Sequence, residues 1–177
     1  MDGNGAKLWD ERLVSALRAA YRLPWEGVHG WPHWLRVREN GLLLAAMNGA
    51  DLKVVEMFAL LHDVERRNEA LDPGHGERAA MLLGMLPAEL LPLDWFQVQQ
   101  LEFACAHHTD GLLEADVTIQ TCWDADRLDL GRVGIRPDPT LLCTEAARRP
   151  DILDWAWRRS IGEESVGAGV GNGAKHG

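Results

Sequence analysis

Residues 54–63 read VVEMFALLHD, in which seven of the first eight positions are apolar and the run then closes on a histidine and an aspartate. A helix that is apolar on every side is a buried one, and Asp51 just ahead of it is a suitable cap. A core helix has little use for an adjacent base and acid at its end. Either His62 and Asp63 cap the helix, or they are there to bind something charged.

Working outward, the periodicity is helical throughout. Leu8, Leu13, Val14, Leu17, Ala20 and Tyr21 recur at intervals of three and four and mark one helical face. In residues 28–50, Pro32 suits a first helical position, Val37, Leu44 and Met47 share a face, and Gly49 is a stop. The helix carrying the opening stretch is expected over 52–65, followed by a loop in RRNEALDPGHGE, 66–77. Further helices are expected in ERAAMLLGML (77–86), WFQVQQLEFACAHH (95–108), TIQTCWDADRLDLGRVG (118–134), LLCTEAARR (141–149) and ILDWAWRRS (152–160). No alternating run is long enough for a sheet. The expected fold is all-α, a single irregular helical bundle over 1–165, with a Gly-rich disordered tail over 166–177.

At 177 residues the chain is long enough to bury a proper core. Apolar content of 46% with 25% charged residues describes a globular protein. No stretch approaches a membrane span, and the N-terminus lacks the pattern of a signal peptide. A net charge of −9 argues against a nucleic-acid polymer as partner, since phosphate backbones are held by surplus Lys and Arg. It leaves room for a small phosphorylated ligand held by a few local cations or a metal. Cys105, Cys122 and Cys143 are widely spaced and read as reduced, buried thiols, which places the chain in the cytoplasm.

Six histidines outside the tail, His29, His33, His62, His75, His107 and His108, lie near expected helix ends or beside acids. Singly, each is explained by the helix dipole. Jointly they are not. The helix ending in His62 and Asp63 and the helix bearing DAD (124–126) both put metal ligands where core meets loop. Imidazole nitrogen with carboxylate oxygen suits Zn, Mn, Fe, Co or Ni, with Mg a further candidate. Without an ion, that many ionisable groups at the core would be costly.

The order HWLRV (33–37), LLHD (60–63), DADRLD (124–129) resembles the HD-domain superfamily of metal-dependent phosphohydrolases, in the manner of a small single-domain bacterial member. The resemblance runs from about 29 to 135 and implies that His33, His62, Asp63 and Asp126 bind a metal. It makes Asp124 a neighbour that orients or charges the site. Asp129 is read as a solvated partner of Arg127 or Arg132. In two-metal members further histidines are added. Here His75 and one of His107 or His108 are the candidates for a second ion, with Asp63 bridging, or for contact with substrate phosphate. His29, four residues before His33, matches a histidine that serves as proton donor in some members.

The chemistry so implied is hydrolysis of a small phosphate ester, such as a nucleotide or sugar phosphate, by metal-activated water. Asp63 or Asp124 would take the water's proton, and Arg66, Arg36 and Arg127 are the cations available to substrate phosphate. Some nucleotide-cleaving members carry an acid where this chain has Arg66, so their particular mechanism does not transfer. One ion is the simplest case and two the extended one. Two alternatives stand beside the hydrolase: an HD-fold di-iron oxygenase, and a metal- or nucleotide-binding module without turnover. Trp25, Trp31 and Trp34 surround the first histidine and serve packing, while Trp155 and Trp157 offer a contact for a homodimer.

Overall fold

Helix boundaries follow from local capping chemistry. A computed structural model describes residues 9–163. Leu8 and the Gly-rich tail therefore lie outside the described residues. Helix α1 (Glu11–Ala20) is capped by the Asp10 carboxylate. α2 (Trp31–Asn48) carries Pro32 in its first turn and stops at Gly49, whose φ of 78° is the left-handed geometry that ends helices. The Asp51 carboxylate accepts from the Lys53 and Val54 amides and starts α3 (Leu52–Leu61). α4 (His75–Leu83) leads through Ala88–Leu90 to α5 (Trp95–His107), opened by a reciprocal Asp94–Gln97 capping box. α6 (Val117–Arg127), the short α7 (Glu145–Arg148) and α8 (Pro150–Ser160) complete the chain. No strand occurs among the described residues, and the fold is the all-helical bundle expected. None of these helices is long and apolar enough to cross a membrane.

Two of the expected helices that carry site residues stop well short of their patterns. α3 ends at Leu61, and His62 to Glu65 form a tight turn in which the Val64 and Arg66 amides donate to Leu61 and Asp63 carbonyls. The DAD helix stops at Arg127, and Leu130–Val133 is a separate 3-10 turn. Pro150 begins α8 because its missing N–H costs nothing at a helix start.

α3 is the axis of the core. Val54, Val55, Met57, Phe58, Ala59, Leu60 and Leu61 are all buried, and α2, α5 and α6 pack around them. A smaller core of Leu44, Leu128, Leu142, Ala147 and Ile152 fastens α7 and α8 to the end of α2. Trp25, Trp31 and Trp34 pack with Trp9 and Tyr21 in one aromatic cluster, and the Trp34 indole N–H donates to the His29 carbonyl at 2.8 Å. Trp155 and Trp157 are covered within the chain by Arg159 and Arg136 guanidiniums. Cys105 and Cys122 are buried as expected. Cys143 is half-buried and lies in a loop, because the expected 141–149 helix begins only at Glu145.

α4 meets α5 at very short range. A methyl group on Gly76 would come within 2.4 Å of the Cys105 carbonyl oxygen and 3.1 Å of His108 Nδ1. Because the obstacle is backbone, it cannot rotate away. Alanine is otherwise the better helix former by about 1 kcal/mol. We therefore expect Gly76→Ala to destabilise the protein by about 1–3 kcal/mol through overpacking, measured by thermal or denaturant unfolding. A stabilised variant would mean that the two helices do not meet in this way.

Candidate metal centre

Four histidines converge with the same orientation. The end of α3 presents His62, whose Nδ1 lies 3.1 Å from the Phe58 carbonyl oxygen. The first turn of α2 presents His33, whose Nδ1 lies 2.7 Å from an Asp129 carboxylate oxygen. A carbonyl or carboxylate can only accept, so each Nδ1 carries the proton and each Nε2 is left with a lone pair. These two Nε2 atoms face each other at 3.1 Å, with both rings fully buried. Two lone pairs cannot hydrogen-bond to one another. They suit a cation between them.

The same arrangement occurs a second time. His75 Nδ1 donates to the Asp72 carbonyl, and His108 Nδ1 donates to the Cys105 carbonyl at 2.7 Å. Their Nε2 atoms are 2.8 Å apart. The close α4–α5 approach at Gly76 brings this pair together.

Asp63 stands between the two pairs with its side chain only 2% exposed. Its Oδ2 lies 3.6 Å from His33 Nε2 and 3.9 Å from His62 Nε2, while its Oδ1 lies 3.0 Å from His75 Nε2 and 3.6 Å from His108 Nε2. Asp126, on α6, brings Oδ1 to 3.4 Å from His33 Nε2 and 3.8 Å from His62 Nε2. That oxygen is buried and has no hydrogen-bond partner. His33, His62 and Asp63 form one group able to hold an ion, and Asp63, His75 and His108 form another. An orphaned carboxylate oxygen and two pairs of facing lone pairs fit a divalent ion bound by nitrogen and oxygen.

The electrostatics agree. Burial by itself would raise the Asp63 carboxyl, but His62, His108, His29 and His75 outweigh it and hold the group well below the usual carboxylate range. Asp126 is likewise held low against burial by His33, Arg132 and His62. Burial lowers His62 to about 3, so it stays neutral and available as a ligand. For His108 burial also opposes the charge, but hydrogen bonding to Asp63 prevails and raises its pKa.

The other sequence candidates divide sharply. His29 is buried in the site, with Nδ1 3.0 Å from Asp63 Oδ2 and Nε2 3.9 Å from Glu69 at the rim. Of the adjacent histidines, His108 turns inward. His107 is 38% exposed and pairs with Asp110, because one residue further along a helix rotates the side chain by about 100°. Asp124 is not beside the site. It is fully buried on the far side of α6, where it accepts from the Cys143 and Thr144 amides and the Thr144 hydroxyl; burial raises its pKa. Arg36 is committed to both oxygens of Asp129, and Arg127 to the Leu112 and Leu141 carbonyls, so neither is a free phosphate contact. Arg66 does reach the cluster, 3.6 Å from Asp63 Oδ1.

Two functional positions were misread from sequence. Asp129 is buried rather than solvated and fixes the His33 ring. Arg132, read only as its salt-bridge partner, places Nη2 3.5 Å from Asp126 Oδ1. The repeated spacing was the available signal: His33 and Arg36 are three apart on one helix, and Asp126 and Asp129 are three apart on the facing segment.

No family model and no curated protein matches the chain. Among solved structures it is similar to a predicted HD superfamily hydrolase from an uncultured Thermotogales bacterium. The match has 25% identity and a TM-score of 0.64, covering 85% of this chain and 86% of that one. With this fold, and with the His33, His62–Asp63, Asp126 order brought to one point, the chain belongs to the HD superfamily.

Asp129 orients His33 through a charge-assisted hydrogen bond and is itself gripped by Arg36. Asp129→Asn should leave the helical content intact and weaken metal affinity by about 10–100-fold, measured by competition with a chromogenic chelator. Unchanged affinity would mean that the ring is held by packing alone.

Proposed function

We propose that the chain is a metal-dependent phosphohydrolase acting on a small phosphate ester such as a nucleotide or sugar phosphate. The observation that carries this is the set of inward-facing Nε2 lone pairs around the buried Asp63. His33, His62, Asp63 and Asp126 would hold one divalent ion. His75 and His108, sharing Asp63, would hold a second. When bound, such ions lower the pKa of water and polarise a phosphoryl oxygen.

The remaining work falls to the chain's own groups. Asp129 and Arg36 keep His33 in one tautomer. The His62 and His108 rings are fixed by the Phe58 and Cys105 carbonyls, so the donor set is organised before substrate arrives. His29 spans from Asp63 Oδ2 to the rim near Glu69, and its imidazole can carry a proton between the buried carboxylate and the leaving group or solvent. Arg66 supplies positive charge beside Asp63, where a phosphoryl oxygen would sit.

The second triad also keeps the di-iron oxygenase in view, since that chemistry needs both sets of donors. Iron in the purified protein together with oxygen uptake would favour it; hydrolysis supported by Mn or another redox-silent ion favours the phosphohydrolase.

Asp63 is the shared carboxylate and its replacement is the test. Asp63→Ala should lose bound metal and reduce phosphomonoester hydrolysis to background while retaining most helical content by circular dichroism. Full metal occupancy in that variant would overturn the ligand assignment.

A further inference from the structure

We propose that Arg132, acting with Arg66, forms a two-armed clamp for the dianionic phosphate of a phosphate monoester. The proposal rests on the hydrolase reading above and adds to it a residue and a substrate class.

The two arginines are placed alike. Arg132 lies in the 3-10 turn Leu130–Val133, just after α6, and its side chain is 8% exposed. Arg66 lies just after the His62–Asp63 turn, and its side chain is 9% exposed. Each is steadied by one backbone carbonyl: Arg132 Nη1 donates to Asp129 at 3.1 Å, and Arg66 Nη2 donates to Ala70 at 2.8 Å. Each then sends its other terminal nitrogen towards a carboxylate of the cluster. Arg132 Nη2 stops 3.5 Å from Asp126 Oδ1. Arg66 Nη1 stops 3.6 Å from Asp63 Oδ1 and 3.3 Å from His75 Nε2. The carboxylate distances are too long for a charge-assisted hydrogen bond, which closes at about 2.7–2.9 Å. In both residues Nε is buried without a partner.

Neighbouring arginines show what a structural guanidinium looks like in this protein. Arg36 grips both oxygens of Asp129, and Arg78 is held by the Glu65 carbonyl and Asp72. Arg66 and Arg132 are more deeply buried, and neither closes an ion pair at hydrogen-bond distance, although Arg66 Nη1 also meets His75 Nε2. Burying a guanidinium without a closed ion pair is costly, and an anion seated against both would repay it. Asp126 is the most exposed of the proposed ligands at 14%.

Charge selects the anion. Asp63 and Asp126 are balanced by Arg66 and Arg132, and Asp129 by Arg36. Glu69, at 38% exposure, is at the solvated rim. The positive charge that the proposed ions bring is therefore in surplus, and an anion of higher charge offsets more of it. A phosphate monoester carries close to two negative charges at neutral pH and three free oxygens. A diester carries a single charge, with fewer oxygens for two guanidinium forks. The site matches the monoester.

The test uses methyl phosphate and dimethyl phosphate as monoester and diester probes, titrated calorimetrically into Mn-loaded wild type, Arg132→Gln and Arg132→Lys at pH 8. Metal content and circular dichroism are recorded for each protein. Wild type should bind methyl phosphate at least about tenfold tighter than dimethyl phosphate. Arg132→Gln should lose about tenfold in methyl phosphate affinity at unchanged metal content, with little change for dimethyl phosphate. Arg132→Lys, which keeps the charge without the planar fork, should fall between. If Arg132→Gln does not fold, Arg132→Lys decides: an affinity equal to wild type overturns the clamp. Equal binding of the two probes by wild type, or undiminished methyl phosphate binding by Arg132→Gln, overturns it as well. Hydrolysis of p-nitrophenyl phosphate in the same samples separates the two claims. Turnover that Arg132→Gln leaves untouched defeats the clamp and keeps the hydrolase. Monoester binding that needs Arg132, with no turnover of any monoester by wild type, defeats the hydrolase and keeps the clamp.

Discussion

A carboxylate almost wholly removed from water lies at the centre of this bundle, and the surrounding helices are arranged to make that tolerable. Asp63 lies in the turn that follows the most deeply packed helix, buried itself, so its charge is not solvated. Stranding an ionised carboxylate in such a place costs several kcal/mol unless compensating charge surrounds it. Arg66, after α3, brings one fixed positive charge. The imidazoles that face Asp63, to donate to it or to hold a cation beside it, come from segments far apart in sequence: His29 before α2, His33 on α2, His62 just after α3, His75 on α4 and His108 after α5. α2, α4 and α5 are thereby tied to the end of α3 as well as to the apolar core.

What makes the point a site, rather than a buried ion-pair network, is the direction of the imidazoles. A network built for stability would end its hydrogen bonds on acceptors. Here all four Nδ1 atoms are spent on carbonyls or on Asp129, and all four Nε2 atoms look inward at one another or at Asp63. The outer acceptors do the positioning: they set the tautomer, and the helix termini on which they lie set the separation. This explains why the site can be organised without substrate, and why Gly76 must lack a side chain. Its absence lets α4 approach α5 closely enough to pair His75 with His108.

The helices were legible in the sequence because their signals are local: periodic apolar residues, the Asp51 cap and Gly49 as a stop. The His62–Asp63 pair stood out for the same reason, as a polar end on an apolar run. What failed to read were choices between neighbours. Asp124 and Asp126 are two apart, so on a helix they point about 200° from each other, and only one can face the site. Helical angle alone could have removed Asp124. Asp129 was harder, because α6 ends at Arg127 and the turn that carries Asp129 back towards His33 has no periodic signature. Arg36, Arg127 and Arg132 look equivalent as basic residues near motif positions. What distinguishes them is whether a tertiary acceptor has already claimed the guanidinium, and that is a property of the fold.

The most direct test is elemental analysis of the purified protein after incubation with Mn and removal of unbound ion. Facing lone pairs on either side of a shared carboxylate predict about two ions per chain, as in other two-metal hydrolytic sites. A protein that folds normally and retains no divalent ion would contradict the account, since the inward imidazoles would then be satisfied by protons alone.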